Sequence, residues 1–396
     1  MSLWMTTPSV VVDAQRVRRN VDNMQSIAQT HGVNLRPHVK THKTLEIASM
    51  QLEAGACGLT VSKPSEALKF FQSGLSQLTS ILLAYPVVQT DKIAKLLEAA
   101  TQTGIEFRIT IDSVEGINAV ERAAAASGYS PLVLIHIDVG YHRVGLEEDD
   151  SRILEFAQRL HESKSVQFAG ILSHAGHAYG CSSVDECAAV AETERSIMVR
   201  IKSAIESLGV PVPTVSVGST LTELARKNFE GVTEIRPGNY VFLDRTPVRM
   251  GLASVMDVSL SILVTVVSTN HRYFIVDSGS KVLSSDAPRA TQKNTFGTSC
   301  YGLAFLEKDF ALLNEEPSAH ESVTLDGHQI HCWEVKKLSE EHGWLQQVEG
   351  MPAPAIGERM VILPNHSCVV ANLTDNLFVQ GEHPMTWKTV SRGCSQ

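Results

Sequence analysis

The stretch LRPHVKTHKT (35–44) strings Arg36, His38, Lys40, His42 and Lys43 through residues that otherwise alternate like a half-buried strand. Side chains two apart share one face of a strand, so Arg36, His38 and Lys40 point one way while Leu35, Pro37 and Val39 point the other. A lysine withdrawn from water beside other cations loses basicity, and its neutral amine attacks a carbonyl carbon to form a Schiff base. Lys40, last in the row, is the candidate nucleophile. Two further motifs, SVGST (216–220) and RPGNY (236–240), supply small hydroxyls and glycines of the kind that cradle a phosphate: Ser219, Thr220, Gly238 and Asn239. Arg236 could hydrogen-bond a pyridine nitrogen, as in pyridoxal phosphate (PLP) enzymes. In LPNHSC (363–368), His366 and Cys368 are two apart, and in an extended segment both would reach one zinc with room left for water or substrate.

These residues need a scaffold that gathers them. From residue 10 to about 250 the chain repeats a short β-branched run, a polar loop and a segment of helical period. The runs are VNLRPHVK, CGLTV, SILLAY, FRITI, PLVLIHID, FAGILSH, TVSVG and VTEIRPGNYVFL, preceded by a helix whose stripe is Val17, Val21, Met24 and Ile27 or Ala28. Eight such units predict a (β/α)8 TIM-type barrel over a doubly wound open sheet, although both use the same local signals. A barrel carries its chemistry at the C-terminal strand ends, and those ends hold Lys40, Ser62, Tyr85, Asp112, Asp138, His174 with Tyr179, Ser219 with Thr220, and Arg236 with Gly238 and Asn239. After residue 250 the pattern alternates, as in DVSLSILVTVVSTN, RYFIVDSGSKVL and ERMVILPNHSCVVANL, which predicts a mainly β second domain. The division is 8–250 and 251–396.

Composition narrows the function classes. With 396 residues, 43% hydrophobic and 19% charged, the chain reads as a globular protein of more than one core. Its net charge of −9 and lack of basic clusters beyond VRRN (17–20) argue against nucleic acid as a partner and for a small molecule. No apolar run suits a membrane and no signal peptide is visible, so a cytoplasmic location is expected. Seven scattered cysteines do not resemble a secreted disulfide framework.

Taken together, RPHVKTHK, DVGYHRVG (138–145), SHAGHAYG (173–180), SVGST, RPGNY, LSEEHGW (338–344) and PNHSC resemble the D-serine dehydratase and D-threonine aldolase group of PLP enzymes. The resemblance runs from about residue 8 to about 375 with the motifs in family order. It implies the alanine racemase-like, fold type III architecture: an N-terminal barrel and a C-terminal β domain. It also implies that Lys40, not Lys43, carries PLP, that Tyr179, Thr220, Gly238 and Asn239 contact it, and that Arg143 is the arginine near the cofactor. His366 and Cys368 match the metal ligands. A His-x-Cys pair resembles the zinc-dependent dehydratases, which eliminate water from a D-β-hydroxy amino acid such as D-serine or 3-hydroxy-D-aspartate. The aldolase alternative, with Zn2+ or Mn2+, would cleave Cα–Cβ of D-threonine using a base such as His174 or His177. An amino-acid racemase needs no metal, and a non-catalytic PLP-binding barrel needs no second domain. A homodimer is expected from the resemblance, with Glu341 and His342 of LSEEHGW lacking another visible role.

Overall fold

The computed structural model describes residues 5–286, 300–313, 322–325, 328–381 and 385–396. Eight short parallel strands, Asn34–Leu35, Leu59–Val61, Ser80–Leu83, Glu106–Ile111, Leu132–Ile137, Gln167–Ser173, Thr214–Val217 and Glu234–Ile235, fall on the eight expected runs. The first pairs with the eighth, and the others pair in chain order. Between first and second, the Val39 amide donates to the Thr60 carbonyl at 2.9 Å and the Thr60 amide to Pro37 at 2.8 Å, which closes the ring.

Alternation along the strands sorts their side chains into two environments. Ile81, Leu83, Ile135, Ile137, Val215 and Val217 join the main core under the helices. Helix Ala14–Thr30 adds Val17, Val21, Met24 and Ala28 to that core, its first turn capped by Asp13. Leu82, Leu134, Ala169 and Leu172 instead form a separate layer inside the barrel. This layer divides the interior into a basal and an upper polar chamber.

Arg36 lies in the basal chamber, a cavity of about 360 Å³ shared with Ser80, Glu106, Arg108 and Glu234. The expectation that Arg36 flanks Lys40 is therefore corrected: the two lie four residues apart along the chain on opposite sides of the apolar layer, and Arg36 Nε donates to Glu234 Oε2 at 2.7 Å. Burial raises the Glu234 carboxyl's pKa, but Arg36 and the Ser216 hydroxyl outweigh it and hold the group below the usual carboxylate range. Its contribution to stability is thus complete at neutral pH and fades only as pH falls through that lowered value. Replacing Glu234 by Gln would leave Arg36 buried and uncompensated, at a cost of about 3 kcal/mol or more. Urea unfolding at pH 7 measures this, and an unchanged midpoint would show the pair to be energetically silent.

The second sheet is mainly antiparallel. Strands Leu260–Thr269, Tyr273–Val276, Gly343–Gln346, His328–Leu338, Gly302–Leu306 and Arg359–Pro364 pair successively, and the last returns to the first. The chain begins in this sheet: Ser9–Val12 runs antiparallel to Leu260–Thr269 and parallel to Asn376–Val379 before the barrel starts. It ends back on the barrel, where the Ser65 amide donates to the Gln396 carbonyl at 3.0 Å and Thr389 bridges Thr44. The PNHSC segment departs from the expected strand, since extended structure stops at Pro364 and Ser367–Asn372 is helical. Asp244 Oδ2 accepts the Ser367 amide at 3.1 Å, which satisfies one of the new helix's free donors. Glu341 sits in an exposed turn, paired with Lys281 at 2.6 Å. Among the described residues no helix is long and apolar enough to cross a membrane.

Candidate active site

Above the apolar layer, at the C-terminal strand ends, the barrel and the second sheet enclose a cavity of about 570 Å³. Its wall includes Lys40, Arg143, His174, Tyr179, Ser219, Thr220, Arg236, Gly238, Asn239, His366 and Cys368, whereas Asp112 and Asp138, also expected at strand ends, are not part of it. His177 lies outside, its ring tilted against Tyr141 at 6.3 Å. His42 and Lys43 also turn away: His42 Nδ1 faces the Thr44 hydroxyl at 3.3 Å, and Lys43 Nζ donates to buried Glu66 at 2.7 Å.

Lys40 Nζ has no hydrogen-bond or ion-pair partner among the described residues. Burial holds its pKa below the usual lysine value; Arg143 and Arg236 add to the shift, while Cys368 and Glu66 oppose it. The cations that depress Lys40 thus come largely from the fifth and eighth strand ends rather than from its own segment. Arg143 sits over the Tyr141 ring at 5.0 Å and has no ion-pair partner among the described residues. His174 turns Nδ1 to the Gly218 carbonyl at 3.2 Å, so that nitrogen is the donor. Burial and then Lys40 and Arg143 drive its pKa well below the usual value, leaving a neutral ring.

The loops after the seventh and eighth strands are built for an anion. Among the described residues the backbone N–H groups of Thr220, Gly238 and Asn239 have no acceptor. A side chain at Gly238 would meet the His38 carbonyl at 2.9 Å and Thr41 Oγ1 at 3.0 Å, so this position must be bare for the loop to pack against the segment that bears Lys40. Arg236 Nη1 is fixed by the Ser216 hydroxyl at 2.6 Å and Nη2 by the Ser173 carbonyl. Free donors, an unpaired amine and a buried guanidinium in one chamber fit PLP.

His366 and Cys368 converge by another route than a shared strand face. His366 is the extended residue that precedes the helix and Cys368 lies in its first turn. Asp244, fully buried, accepts His366 Nδ1 at 3.0 Å, which leaves Nε2 as the nitrogen free to bind a metal. Asp244 also accepts the Asn239 side-chain amide at 2.7 Å, tying this site to the loop after the eighth strand. Burial would raise the Cys368 thiol's pKa, but His366, the Thr41 hydroxyl at 3.2 Å and Lys40 lower it overall. An imidazole backed by a carboxylate and a thiol inclined to ionise suit zinc. A different cluster, Asp138, His142 and Glu147, lies at the rim with His142 and Glu147 exposed. There Asp138 Oδ1 already accepts the Gly140 and Tyr141 amides, both at 2.8 Å, which accounts for it as a loop stitch.

The sequence reading missed Asp244, Thr41 and His136. His136 lies two residues beyond Leu134 on the inward face, and that spacing was the available signal. Asp244 offered none, because its partner is 122 residues away.

Residues 12–246 match the family model described as alanine racemase, N-terminal domain, and 259–380 the one described as putative serine dehydratase domain. D-threo-3-hydroxyaspartate dehydratase of Delftia sp. (strain HT23) is 34% identical over 92% of each chain. A solved structure of a D-threo-3-hydroxyaspartate dehydratase, a Cys-to-Ala mutant in the metal-free form, superposes with a TM-score of 0.84 over 98% of both chains at 32% identity. D-serine dehydratase of Dictyostelium discoideum is 29% identical over 95% of this chain and 93% of its own. D-threonine aldolase of Arthrobacter sp. is 28% identical over 98% and 93%.

Proposed function

The chain belongs to the family that joins an alanine racemase N-terminal domain to a serine dehydratase domain, and on that premise we propose that it is a PLP-dependent lyase of D-β-hydroxy amino acids. The favoured reaction is dehydration, of D-serine or 3-hydroxy-D-aspartate, to a keto acid and ammonia. The observation that carries this reading is the unpartnered Lys40 amine, which shares one chamber with the free Thr220, Gly238 and Asn239 amides and with His366 and Cys368.

Lys40 would hold the cofactor's aldehyde carbon, the free amides its phosphate, Arg236 its ring nitrogen, and Tyr179 and Ser219 the surrounding wall. Bound there, PLP supplies an electron-withdrawing ring for an amino acid joined to it. Lys40 Nζ, with lowered basicity, is the group that takes the proton from substrate Cα. Arg143, unpaired at the rim, supplies positive charge beside the reacting anion. A zinc on His366 Nε2 and Cys368 Sγ would polarise the β-oxygen, which otherwise leaves poorly as hydroxide. Neutral His174 faces the same space, and in the aldolase reading it would accept the β-hydroxyl proton instead.

Asp244 orients the histidine, so Asp244→Asn is expected to weaken zinc binding about 10–100-fold. Metal titration of the purified protein followed by elemental analysis measures this, and unchanged zinc content would remove Asp244 from the site. Incubation with PLP, zinc and each candidate D-amino acid tests the function itself. Keto acid with ammonia is expected, and an absence of turnover on every D-β-hydroxy amino acid would overturn the proposal.

A further inference from the structure

Behind the phosphate loop lies a charged cluster none of whose side chains lines the cavity. Glu194, from helix Val184–Glu206, is completely buried, as is Glu223, and the Arg226 side chain between them is 1% exposed. Arg226 Nη2 donates to Glu194 Oε2 at 2.7 Å, Nε and Nη2 to the two Glu223 oxygens at 3.0 and 2.8 Å, and Nη1 to the Ala191 carbonyl at 2.9 Å. The other Glu194 oxygen reaches into the barrel. It accepts the Gly218 amide at 3.1 Å and the Ser173 hydroxyl at 2.8 Å.

We propose that Glu194 is a positioning residue for the phosphate loop, acting through Gly218; the inference rests on the reading of the cavity as a PLP site. Gly218 is gripped on both sides, its N–H by Glu194 and its carbonyl by His174. Its φ of +109° lies in the region that favours glycine, and a Cβ there would overlap the Glu223 carboxylate. With the Gly218 N–H turned back to Glu194 and the Ser219 N–H taken by Thr222 Oγ1 at 2.8 Å, the next amide in line, Thr220, faces the ligand unpaired. Ser173 precedes His174 directly, so one carboxylate fixes both the anion loop and the strand end that bears the imidazole. Arg226 pairs with that carboxylate at 2.7 Å in a dry setting, and a carboxylate acceptor holds an amide more firmly than an uncharged one.

The test titrates the apoprotein with PLP and with pyridoxal, which lacks the phosphate. The isosteric Glu194→Gln is expected to weaken PLP about tenfold and leave pyridoxal within about twofold. Equal weakening of both, or of neither, overturns the assignment. Amide exchange of the wild-type chain gives a check independent of how the variant folds: Gly218 is expected to be protected before any ligand is added, and fast exchange there overturns the assignment too. Failure of the wild-type chain to bind either aldehyde instead sinks the reading of the cavity as a PLP site, and with it this inference.

Discussion

Lys40→Ala is expected to lower turnover by about 10³-fold or more, because one substitution removes both the covalent anchor and the base for Cα. The purified wild-type protein should be yellow, with a band near ~420 nm typical of a PLP Schiff base. The variant should lose that band, and borohydride should fix no cofactor to it. Lys43 is the control. It is three residues away and equally able in principle, but its ammonium is buried against Glu66 at 2.7 Å and also reaches the Ser391 carbonyl at 3.4 Å. With its hydrogens committed to that carboxylate and carbonyl, outside the cavity, Lys43 is not placed to attack an aldehyde there. Lys43→Ala should therefore keep the visible band and lose stability instead, since Glu66 would be left buried without its counter-ion. A reduced peptide labelled at Lys43 would reverse the assignment of the two lysines.

How this pair separates illustrates what the sequence could and could not convey. Alternation alone set Lys40 on the inward face with His38, and β-branched runs located all eight barrel strands. The rim position of Lys40, Ser219 and Gly238 followed from those strand ends. Alternation gives a face but not a depth. Arg36 shares the inward face yet lies below the Leu82, Leu134 and Leu172 layer, bound to a glutamate nearly two hundred residues later. The cations that do act on Lys40, Arg143 and Arg236, converge only when the ring closes. The candidate metal pair shows the opposite case: the two residues do come together, but not by the shared strand face that their spacing suggested. His366 and Cys368 meet because a helix begins between them under the pull of Asp244, a tertiary contact that local propensity does not encode.

Removal of the metal should have the second large effect, and its products decide between the two lyase reactions. Hydroxide leaves Cβ with difficulty unless its oxygen is bound to a Lewis acid, so chelation or Cys368→Ala should reduce dehydration by about 10²-fold or more. The substitution should not disturb the fold. Cys368 borders the cavity rather than the core, and the groups around its thiol are His366, the Thr41 hydroxyl at 3.2 Å and Asn239 Oδ1 at 3.9 Å. PLP should still bind, because the lysine and the anion loops are untouched. Loss of activity with the ~420 nm band retained would therefore place the metal in the chemistry and not in cofactor binding. In the aldolase reaction a metal held there would instead acidify the β-hydroxyl, and a base would take its proton as Cα–Cβ breaks, with no loss of hydroxide. His174, which lines the same cavity, is the base proposed for that reading, its Nδ1 already committed to the Gly218 carbonyl and its pKa lowered by burial. His174→Gln should then abolish glycine and aldehyde formation if cleavage is the native reaction, while a dehydratase would keep forming ammonia. The expected outcome for the wild-type chain is keto acid and ammonia from D-serine or 3-hydroxy-D-aspartate, lost on chelation and restored by zinc. Glycine as the main product from D-threonine would transfer the assignment to retro-aldol cleavage, and full activity after chelation would take His366 and Cys368 out of the mechanism.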